Sequence, residues 1–398
     1  MSTVKPTVWM AALAGISLAS DAWADNTQAE IRRLQQQLDA LKAQIDSPAS
    51  TSGFPSMPLA FFGKVSVDAI YDDKDAGFDE LLIPSTIPGG DTHQQQFNLN
   101  AKNSQLGFRV GESEGPHMVF AADLFGSLDS YELRIRDFYF QHGALRAGYG
   151  FTALLDGKAW PLTLDAQGPN SAIFARQTGV RWQTDHWTLA LEDPNSEIQD
   201  PANQSSAAGR RPDIIATWTQ DFTLGHVKAG IVNREIGVEF ANGNQQFTTA
   251  TGGVLSGALS LTDTLRLLAS GSYGEGMAHY YNDLSGFGDS SMDGYVFADG
   301  LQPLVSQGGY LAGEWQALED WTLAMVAGQV VVESDAALPA AAMRRSRYGT
   351  LTAVYQHTPR LSYGAEVSYG LRDRQDGDRS EAPRVQLNLT YRFHHESH

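Results

Sequence analysis

Hydrophobic and polar residues alternate with a period of two near the carboxyl end of the chain. Over residues 361–371 the odd-numbered positions are apolar, whereas the even-numbered positions are small or polar and include Glu366. Residues 385–393 repeat the pattern, with Arg392 on the polar phase. Strict alternation over about ten residues predicts a half-buried β-strand, and a tilted transmembrane strand has the same length. Charged residues on the polar phase favour a water-filled lumen over a packed sandwich core.

The same pattern, followed along the chain, predicts sixteen strands of an all-β fold. Their starts lie near Ala60, Gln96, His117, Tyr131, Ala144, Ala172, His186, Asp213, His226, Phe247, Asp263, Ser306, Trp321, Arg345, Arg360 and Arg384. Short connections, such as residues 112–116 and 184–185, alternate with long ones over residues 72–95, 151–171, 193–212, 233–246 and 273–305. An even strand number with loops sorted by length predicts an antiparallel transmembrane β-barrel of the bacterial outer membrane. A soluble sandwich, the alternative, has no reason to sort its loops in this way.

The amino-terminal segment predicts a leader and a short helix. Residues 1–24 combine the early charge Lys5, an apolar run over residues 8–18 and a small-x-small site at residues 22–24, which indicates a secretory signal peptide. Residues 25–46 carry an a/d seam of about two heptads, which predicts a coiled-coil helix in the periplasm. Its seam residues are Ile31, Leu34, Leu38, Leu41 and Ile45. An amphipathic helix docked on its own domain is the alternative.

Residues 47–59 are rich in Ser and Pro and are predicted to be a linker to the barrel, which spans residues 60–393. Residues 394–398, with the sequence HHESH, are predicted to be a frayed tail, and a metal site is the weaker reading. No other group of residues suggests a metal or a cofactor, so none is predicted.

Charge and cysteine content narrow the function classes. The chain has 28 Lys and Arg against 46 Asp and Glu, a net charge of −18, and no cysteine. An isoelectric point near 4.9 argues against nucleic-acid binding, and the lack of cysteine excludes disulfide scaffolds and thiolate metal sites. Two predicted external loops carry half of the excess negative charge. The charged residues of the first loop are Asp73, Lys74, Asp75, Asp79, Glu80 and Asp91, and those of the sixth loop are Glu275, Asp283, Asp289, Asp293 and Asp299. We expect these carboxylates to face outside, either for solubility or to bind divalent cations shared with lipopolysaccharide.

Basic residues concentrate on the polar phase of the first half of the barrel. The predicted wall consists of Lys102, Arg109, Arg134, Arg136, Arg146 and Arg181. Lys102 lies on the even-numbered polar positions and Arg109 on the odd-numbered ones, so a β-bulge is expected between them, near Asn103. Whether the side chain of Arg176 points into the lumen or outward is left open. Rows of guanidinium groups make a pore prefer anions and recognise carboxylates. The alternative is that these arginines pair with barrel acids such as Asp123 and Glu132.

The third external loop follows this basic wall directly and carries Asp156, Lys158 and Asp165. The third loop of sixteen-stranded porins commonly folds into the lumen, so we expect Asp156 and Lys158 to lie opposite the arginines and to set a field across the pore. An ordinary surface loop is the alternative. Glycines on the inner phase, namely Gly148, Gly230, Gly364 and Gly370, favour an open lumen.

The coil, linker and barrel together resemble the DcaP-like trimeric porins. The resemblance rests on NSQLGF at residues 103–108, AADLFG at 121–126, LRIRDFYF at 133–140, GALRAGYGFTALLD at 143–156, ARQTGVRW at 175–182 and GEGMAHYYND at 274–283. The sequence departs from the family at Gln105 and His279, where Arg is usual, and at residues 149–151. The resemblance implies a homotrimer in the outer membrane, in contact with its lipid, that passively takes up small anions, dicarboxylates especially.

Other function classes find less support in the sequence. No Gly-x-Ser-x-Gly, His-Glu-x-x-His or phosphate-loop motif occurs, so no enzyme is predicted. A surface adhesin or envelope structural protein with a plugged barrel is the competing class. The sequence therefore predicts a diffusion porin for small hydrophilic solutes with an anion-leaning constriction.

Overall fold

The computed structural model divides the chain into two units, Met1–Ser56 and Met57–His398. It describes residue 36, which is helical, and residues 57–90, 93–127, 130–286 and 292–397. The predicted leader, the coil residues Ile31, Leu34, Leu38, Leu41 and Ile45, and most of the linker lie outside the described residues. No helix in the described part of the chain has the length and apolar character needed to cross a membrane.

The second unit consists of β-strands. They are β1 (Leu59–Asp72), β2 (Gln96–Asn100), β3 (Gln105–Gly111), β4 (His117–Asp123), β5 (Arg134–His142), β6 (Leu145–Phe151), β7 (Arg176–Gln183), β8 (Trp187–Glu192), β9 (Ile198–Gln199), β10 (Ser205–Ala208), β11 (Asp213–Phe222), β12 (Gly225–Phe240), β13 (Gln245–Ser260), β14 (Leu265–Glu275), β15 (Gly294–Phe297), β16 (Gly300–Pro303), β17 (Val305–Leu318), β18 (Trp321–Val332), β19 (Met343–Gln356), β20 (Leu361–Arg374) and β21 (Arg379–Ser397). Three short 3-10 turns lie at Pro84–Thr86, Gly157–Ala159 and Ala278–Tyr280.

The strands close into the predicted barrel. Each wall strand pairs antiparallel with its neighbours, and β1 pairs with β21 on one edge and with β2 and β3 on the other. Because β2 and β3 share one position in the wall, the barrel has sixteen strands. β10 extends the edge of β12 beyond β11, while β9, β15 and β16 form a small separate sheet.

The bulge expected near Asn103 is present. The register runs through Asp68 opposite Asn100 and Lys64 opposite Gln105, so residues 101–104 lie across from residues 65–67. One extra residue on the second strand shifts the phase, as a β-bulge does. Lys102 and Arg109 therefore both have their side chains on the inner phase despite their different parity.

Alternation is visible in the burial of the side chains. On β20 the exposed residues Tyr363, Val367 and Tyr369 alternate with Ser362, Glu366 and Ser368, which are buried inside. The outer face carries a continuous apolar band of this kind. Exposed aromatics lie near both of its edges, with Trp182, Trp187, Trp315, Trp321 and Tyr391 at the short-turn end and Tyr71, Tyr273 and Tyr369 at the other. Two aromatic girdles around an apolar band are typical of a transmembrane barrel.

Short and long connections alternate along the chain, so that the long loops lie at one end of the barrel, with two exceptions. At one end of the barrel no connection is longer than residues 112–116. At the other end the long loops include residues 73–95, 152–175 and 276–304, called here loop 1, loop 3 and loop 6. The expected long loop over residues 233–246 is wrong, because β12 and β13 stay paired as far as Glu239 and Gln245. Ile236 and Val238 on this hairpin are completely buried, so the hairpin has an apolar inner face that loop 6 covers. The connection at residues 375–378 is short as well.

The prediction that residues 394–398 form a frayed tail is also wrong for residues 394–397, the part that the structure describes. His394 to Ser397 continue β21 and pair with Phe62 to Leu59 of β1. Glu396 lies on the inner phase and forms an ion pair with Arg109, whose Nη2 atom is 2.7 Å from its Oε1 atom. Strand pairing and this ion pair hold the terminus in place.

Candidate functional site

The basic residues of the first half of the barrel lie on the inner face, as alternation predicts. Arg134 and Arg136 flank the exposed Ile135, and Arg181 lies between the exposed Val180 and Trp182. They form two groups at different heights along the barrel. Arg134 and Arg136 lie at the long-loop end of β5, whereas Arg109, Arg146 and Arg181 lie near the short-turn ends of β3, β6 and β7.

The upper group is organised by one buried carboxylate. Asp123 accepts hydrogen bonds from Arg134 Nε at 3.0 Å and from Arg136 Nη1 at 2.6 Å. Its side chain is 0% exposed, whereas the side chain of Arg134 is 39% exposed. Two guanidinium groups share one acid, so the pair of arginines keeps an excess positive charge and partial access to the lumen. The alternative reading of these two arginines is half right: they do pair with Asp123, but Glu132 contacts Ser130 instead.

The lower group is built by cross-strand neighbours. Arg146 and Arg181 lie directly opposite each other in the register of β6 and β7, where cross-strand Cβ atoms are only about 5 Å apart. Arg146 stacks over the ring of Tyr139 at 3.5 Å and lies 3.6 Å from Asp137. Arg181 lies 3.3 Å from Glu192 and also donates to the carbonyl oxygen of Phe151. These partners fix the two side chains in one orientation.

The lower group borders an open cavity of about 540 Å³. Its lining includes Arg109, Arg146 and Arg181 together with Phe62 and Leu155. Tyr139 and His117 add polar and aromatic surface. The cavity is therefore polar, water-accessible and bordered by guanidinium groups.

The balance of charge on this wall is positive. The inner basic residues are Lys64, Lys102, Arg109, Arg134, Arg136, Arg146 and Arg181, and the carboxylates within 4.0 Å of them are Glu80, Asp123, Asp137, Glu192 and Glu396. Among these groups, seven basic groups less five acids leave +2, and Arg176 and Asp68, which lie near Arg136 and Lys64, add one charge of each sign. In a lumen with low-dielectric walls, such an excess raises the local concentration of anions.

Lys102 is the one predicted wall residue that does not face open lumen. It is 4% exposed, and its ammonium lies 2.6 Å from Glu80 and 3.2 Å from the carbonyl oxygen of Ser127. Glu80 belongs to loop 1. Lys102 therefore anchors that loop to the wall instead of lining the cavity.

Loop 3 enters the lumen, but its charged residues do not face the arginines. Asp156 Oδ2 accepts hydrogen bonds from His226 Nε2 and Ser256 Oγ, both at 2.8 Å. Lys158 lies 2.7 Å from Asp221 near the short-turn end of β11. Asp165 is buried and accepts from the backbone nitrogens of Leu82 and Gln167. The predicted field across the pore from Asp156 and Lys158 is wrong, because hydrogen bonds to the opposite wall satisfy these side chains.

Three of the four inner glycines receive loops and do not mark an open lumen, whereas a Cβ atom on Gly148 would meet Phe138 and Tyr139 of the neighbouring strand. A Cβ atom on Gly364 would lie 2.6 Å from Leu164 of loop 3, and one on Gly230 would lie 3.0 Å from Leu154. One on Gly370 would lie 3.0 Å from Ile87 of loop 1. Missing side chains thus allow loops 1 and 3 to pack against β12 and β20. An open cavity remains on the side of the arginines.

Several acids expected to face outside are buried as well. Asp283 and Asp293 of loop 6 are completely buried, and Glu80 holds Lys102. Asp293 lies 3.2 Å from Arg234 and 3.1 Å from His279. Burial acts to raise the pKa of Asp293, but the charges of Arg234 and His279 lower it more, to about 2. Asp283 and Asp293 thus anchor loop 6 inside the barrel, whereas Asp299 of the same loop is exposed. Asp91 and Asp289 lie outside the described residues.

Three residues of the wall were not predicted. Lys64 of β1 donates to Asn103 at 2.8 Å, and Tyr139 supports Arg146. Lys228 of β12 donates to the carbonyl oxygen of Ala153 at 2.8 Å and also to that of Leu155, which holds loop 3. Alternation places Lys64 on the phase of Ser66 and Asp68, and Lys228 between Val227 and Ala229, so the signal was present in the sequence. Arg176 stacks on Phe151 at 3.8 Å.

No cluster of three or more His, Asp or Glu side chains in the described part of the chain is arranged to hold a metal ion.

Comparison with known proteins supports the architecture. No protein-family model and no curated protein sequence matches the chain. Among solved structures, the outer membrane channel DcaP of Acinetobacter baumannii is 20% identical with a TM-score of 0.76, over 86% of this chain and 100% of that one. An anion-selective porin from Comamonas acidovorans is 12% identical with a TM-score of 0.57, over 85% and 100%. OmpF of Salmonella typhi, in complex with daunomycin, is 11% identical with a TM-score of 0.54, over 85% and 98%. The chain thus has the fold of the sixteen-stranded outer-membrane porins, and the predicted resemblance to the DcaP-like porins is confirmed for the fold.

Proposed function

We propose that the protein is an outer-membrane porin through which small hydrophilic solutes diffuse passively, with a preference for anions. One observation carries the proposal: the basic wall borders an open cavity inside a barrel into which loops 1, 3 and 6 fold. A solute that follows this cavity passes the arginines. No bond is made or broken, since the channel only lowers the barrier to diffusion.

The two groups of arginine suggest how an anion would move. Arg134 and Arg136 meet a solute that enters from the long-loop end, and Arg109, Arg146 and Arg181 meet it near the short-turn end. Guanidinium groups bind carboxylates in bidentate fashion. Partial neutralisation by Asp123, Asp137, Glu192 and Glu396 keeps the attraction moderate, which a conducting pore requires because a solute must also leave. A solute with two carboxylates can contact both groups in turn, so dicarboxylates are the proposed preferred class.

We also propose the assembly and location that follow from this function. The barrel lies in the outer membrane of a Gram-negative-type bacterium, with the short turns and the amino-terminal coil in the periplasm. Three chains form a homotrimer, and the coil over residues 25–46 aids its assembly. The apolar band contacts membrane lipid, and the outer ends of the strands contact lipopolysaccharide.

A plugged barrel that acts as an adhesin is the alternative. The observation in its favour is the depth to which loops enter the lumen, where Leu82, Leu154 and Tyr281 are completely buried. Under this alternative the loops would block diffusion and present their outer surface to a partner.

Uptake into proteoliposomes distinguishes the two. Purified full-length protein would be reconstituted, and swelling rates would be compared for succinate and for an uncharged solute of similar size. The porin proposal expects swelling with both and a faster rate with succinate. Rates equal to those of protein-free liposomes would favour the plugged barrel, and a faster rate for the neutral solute would contradict the anion preference.

A further inference from the structure

Four charged side chains form a cluster on the outside of the barrel, at the long-loop ends of β19, β20 and β21. Arg345 lies opposite Asp373, and Asp373 lies opposite Arg379 on the next strand. Arg347 lies one pleat nearer the membrane on the same face of β19. Asp373 shares its phase with the exposed Tyr369, so the cluster belongs to the outer surface and not to the lumen. We call these four residues the outer arginine cluster.

Asp373 holds the three guanidinium groups together. Its Oδ2 atom accepts from Arg345 Nε at 2.7 Å and from Arg347 Nη2 at 3.1 Å, and its Oδ1 atom accepts from Arg379 Nε at 2.7 Å. The carboxylate side chain is 6% exposed, whereas those of Arg345, Arg347 and Arg379 are 31%, 32% and 57% exposed. The acid is thus saturated and covered, while the guanidinium edges remain accessible.

The cluster has an uncompensated positive charge. Within the described residues, Asp373 is the acid that lies within 4.0 Å of these arginines, so three positive charges face one negative charge. Glu381 lies on the same outer face, but Lys74 binds it at 2.9 Å and the hydroxyl of Tyr369 donates to it. Glu381 has its own partners, and the charge of Arg379 also acts on it from beyond 4.0 Å, so the cluster keeps an excess of at least one positive charge.

The height of the cluster matches the headgroup region of a membrane. Exposed apolar side chains lie directly below it, among them Tyr369, Val367 and Leu351. Asp373 lies four residues beyond Tyr369, which is about 13 Å along a strand and about 10 Å along the membrane normal at a tilt of roughly 40°. An aromatic side chain such as Tyr369 marks the interface between hydrocarbon and headgroups. The arginines thus lie where phosphate groups of outer-leaflet lipids occur.

We propose, resting on the outer-membrane location proposed above, that the outer arginine cluster binds the phosphate of a phosphorylated glycolipid in the outer leaflet. Planar guanidinium groups recognise phosphate oxygens through paired hydrogen bonds. Asp373 is a positioning residue, because it orients three flexible side chains before the lipid arrives and so reduces the entropy lost on binding. The apolar surface below, at Leu351 and Val367, offers contact to the acyl chains of the same molecule. Free phosphate has the same recognition chemistry, so the test must separate the two sources.

The test uses purified full-length protein in detergent and native mass spectrometry. The probes are diphosphorylated lipid A, the same lipid with both phosphates removed, and inorganic phosphate. We expect the diphosphorylated lipid to bind at least tenfold more tightly than the dephosphorylated one. Equal binding of the two lipids would overturn the proposal. Displacement of the lipid by inorganic phosphate at micromolar concentration would overturn the assignment to a lipid.

Variants connect the preference to the cluster. The triple substitution Arg345→Gln, Arg347→Gln and Arg379→Gln is expected to abolish the tenfold preference. A matched control removes the same charge from other arginines at the long-loop end, through Arg210→Gln, Arg211→Gln and Arg374→Gln, and should retain it. The single substitution Arg379→Gln leaves Asp373 two partners, so it keeps the test valid if the triple variant does not fold. It is expected to lower the preference for the phosphorylated lipid several-fold.

Two results with the variants would contradict the proposal. One is an undiminished preference for the phosphorylated lipid in both the triple and the single variant. The other is a triple variant that loses its oligomeric mass while its lipid preference stays the same, because the cluster would then be a contact between subunits.

Discussion

Arg146 and Asp137 form a matched pair for testing whether the wall charges govern ion selectivity. Their charged atoms are 3.6 Å apart, their side chains are 20% and 25% exposed, and both line the same cavity. Arg146→Gln removes one positive charge from the cavity, and Asp137→Asn removes one negative charge. Each substitution keeps the approximate size of the side chain. The two variants therefore perturb the same place with opposite sign.

The expected magnitude follows from Coulomb's law. A unit charge about 5 Å from the solute path contributes roughly 0.8 kcal/mol in bulk water and about 3 kcal/mol at an effective dielectric constant of 20. A water-filled lumen lies near the lower value, so about 1 kcal/mol is expected, which corresponds to roughly a fivefold change in the ratio of anion to cation permeability. Recordings at about 0.1 M salt keep the Debye length near 10 Å, so that screening does not hide the effect.

The assay is the reversal potential of each variant in a planar bilayer under a potassium chloride gradient. Arg146→Gln is expected to lower the ratio of anion to cation permeability, Asp137→Asn to raise it by a similar factor, and the double variant to return it near the original value. Shifts of the same sign in both single variants, or no shift in either, would refute the role of the wall charges.

Three further predictions concern loop 3, loop 6 and the amino-terminal helix. Lys228→Met removes the ammonium that holds Ala153 and Leu155, so single-channel recordings should show larger current fluctuations; unchanged noise would argue against a role of Lys228 in holding loop 3. Burial raises the pKa of Asp283 to about 6, so the folded protein binds the proton more tightly than the unfolded chain, and stability should fall by roughly 1–3 kcal/mol as pH rises from about 4 to about 6. Thermal unfolding of Asp283→Asn should lack this dependence, and a parallel profile for the variant would contradict the assignment. Deletion of residues 25–45 should lower the temperature at which trimers dissociate, as measured by gel mobility after heating; an unchanged temperature would show that the helix is not needed.

The wall of the barrel could be predicted from the sequence because alternation has a direct physical cause. Successive side chains on a strand point to opposite faces, so polarity alone assigns each residue to lipid or lumen. This argument placed Arg134, Arg136 and Arg181 correctly, and it located the bulge near Asn103 from a change of phase. It failed at the hairpin of β12 and β13, where a long loop was expected. The strands continue there because loop 6 packs over Ile236 and Val238 on their inner face.

The partners of the loops could not be predicted, because they depend on contacts between distant segments. Asp156 meets His226 and Ser256 across the barrel, and nothing in the local sequence specifies that contact. Net charge also misled the interpretation of loop 6, since Asp293 is buried against Arg234 and His279, and Asp283 against Ser85 and Ser346. The inner glycines were assigned to an open lumen, although Gly364 in fact leaves room for Leu164. The pairing of β21 as far as Ser397 was missed because polar residues at a terminus carry no pattern.

The anion preference of the unmodified protein is the most direct test of the account. Single channels of the full-length protein would be recorded in planar bilayers with potassium chloride at different concentrations on the two sides. The basic wall predicts open channels with a reversal potential of the anion-selective sign. A reversal potential of the cation-selective sign, or no conductance at all, would contradict it.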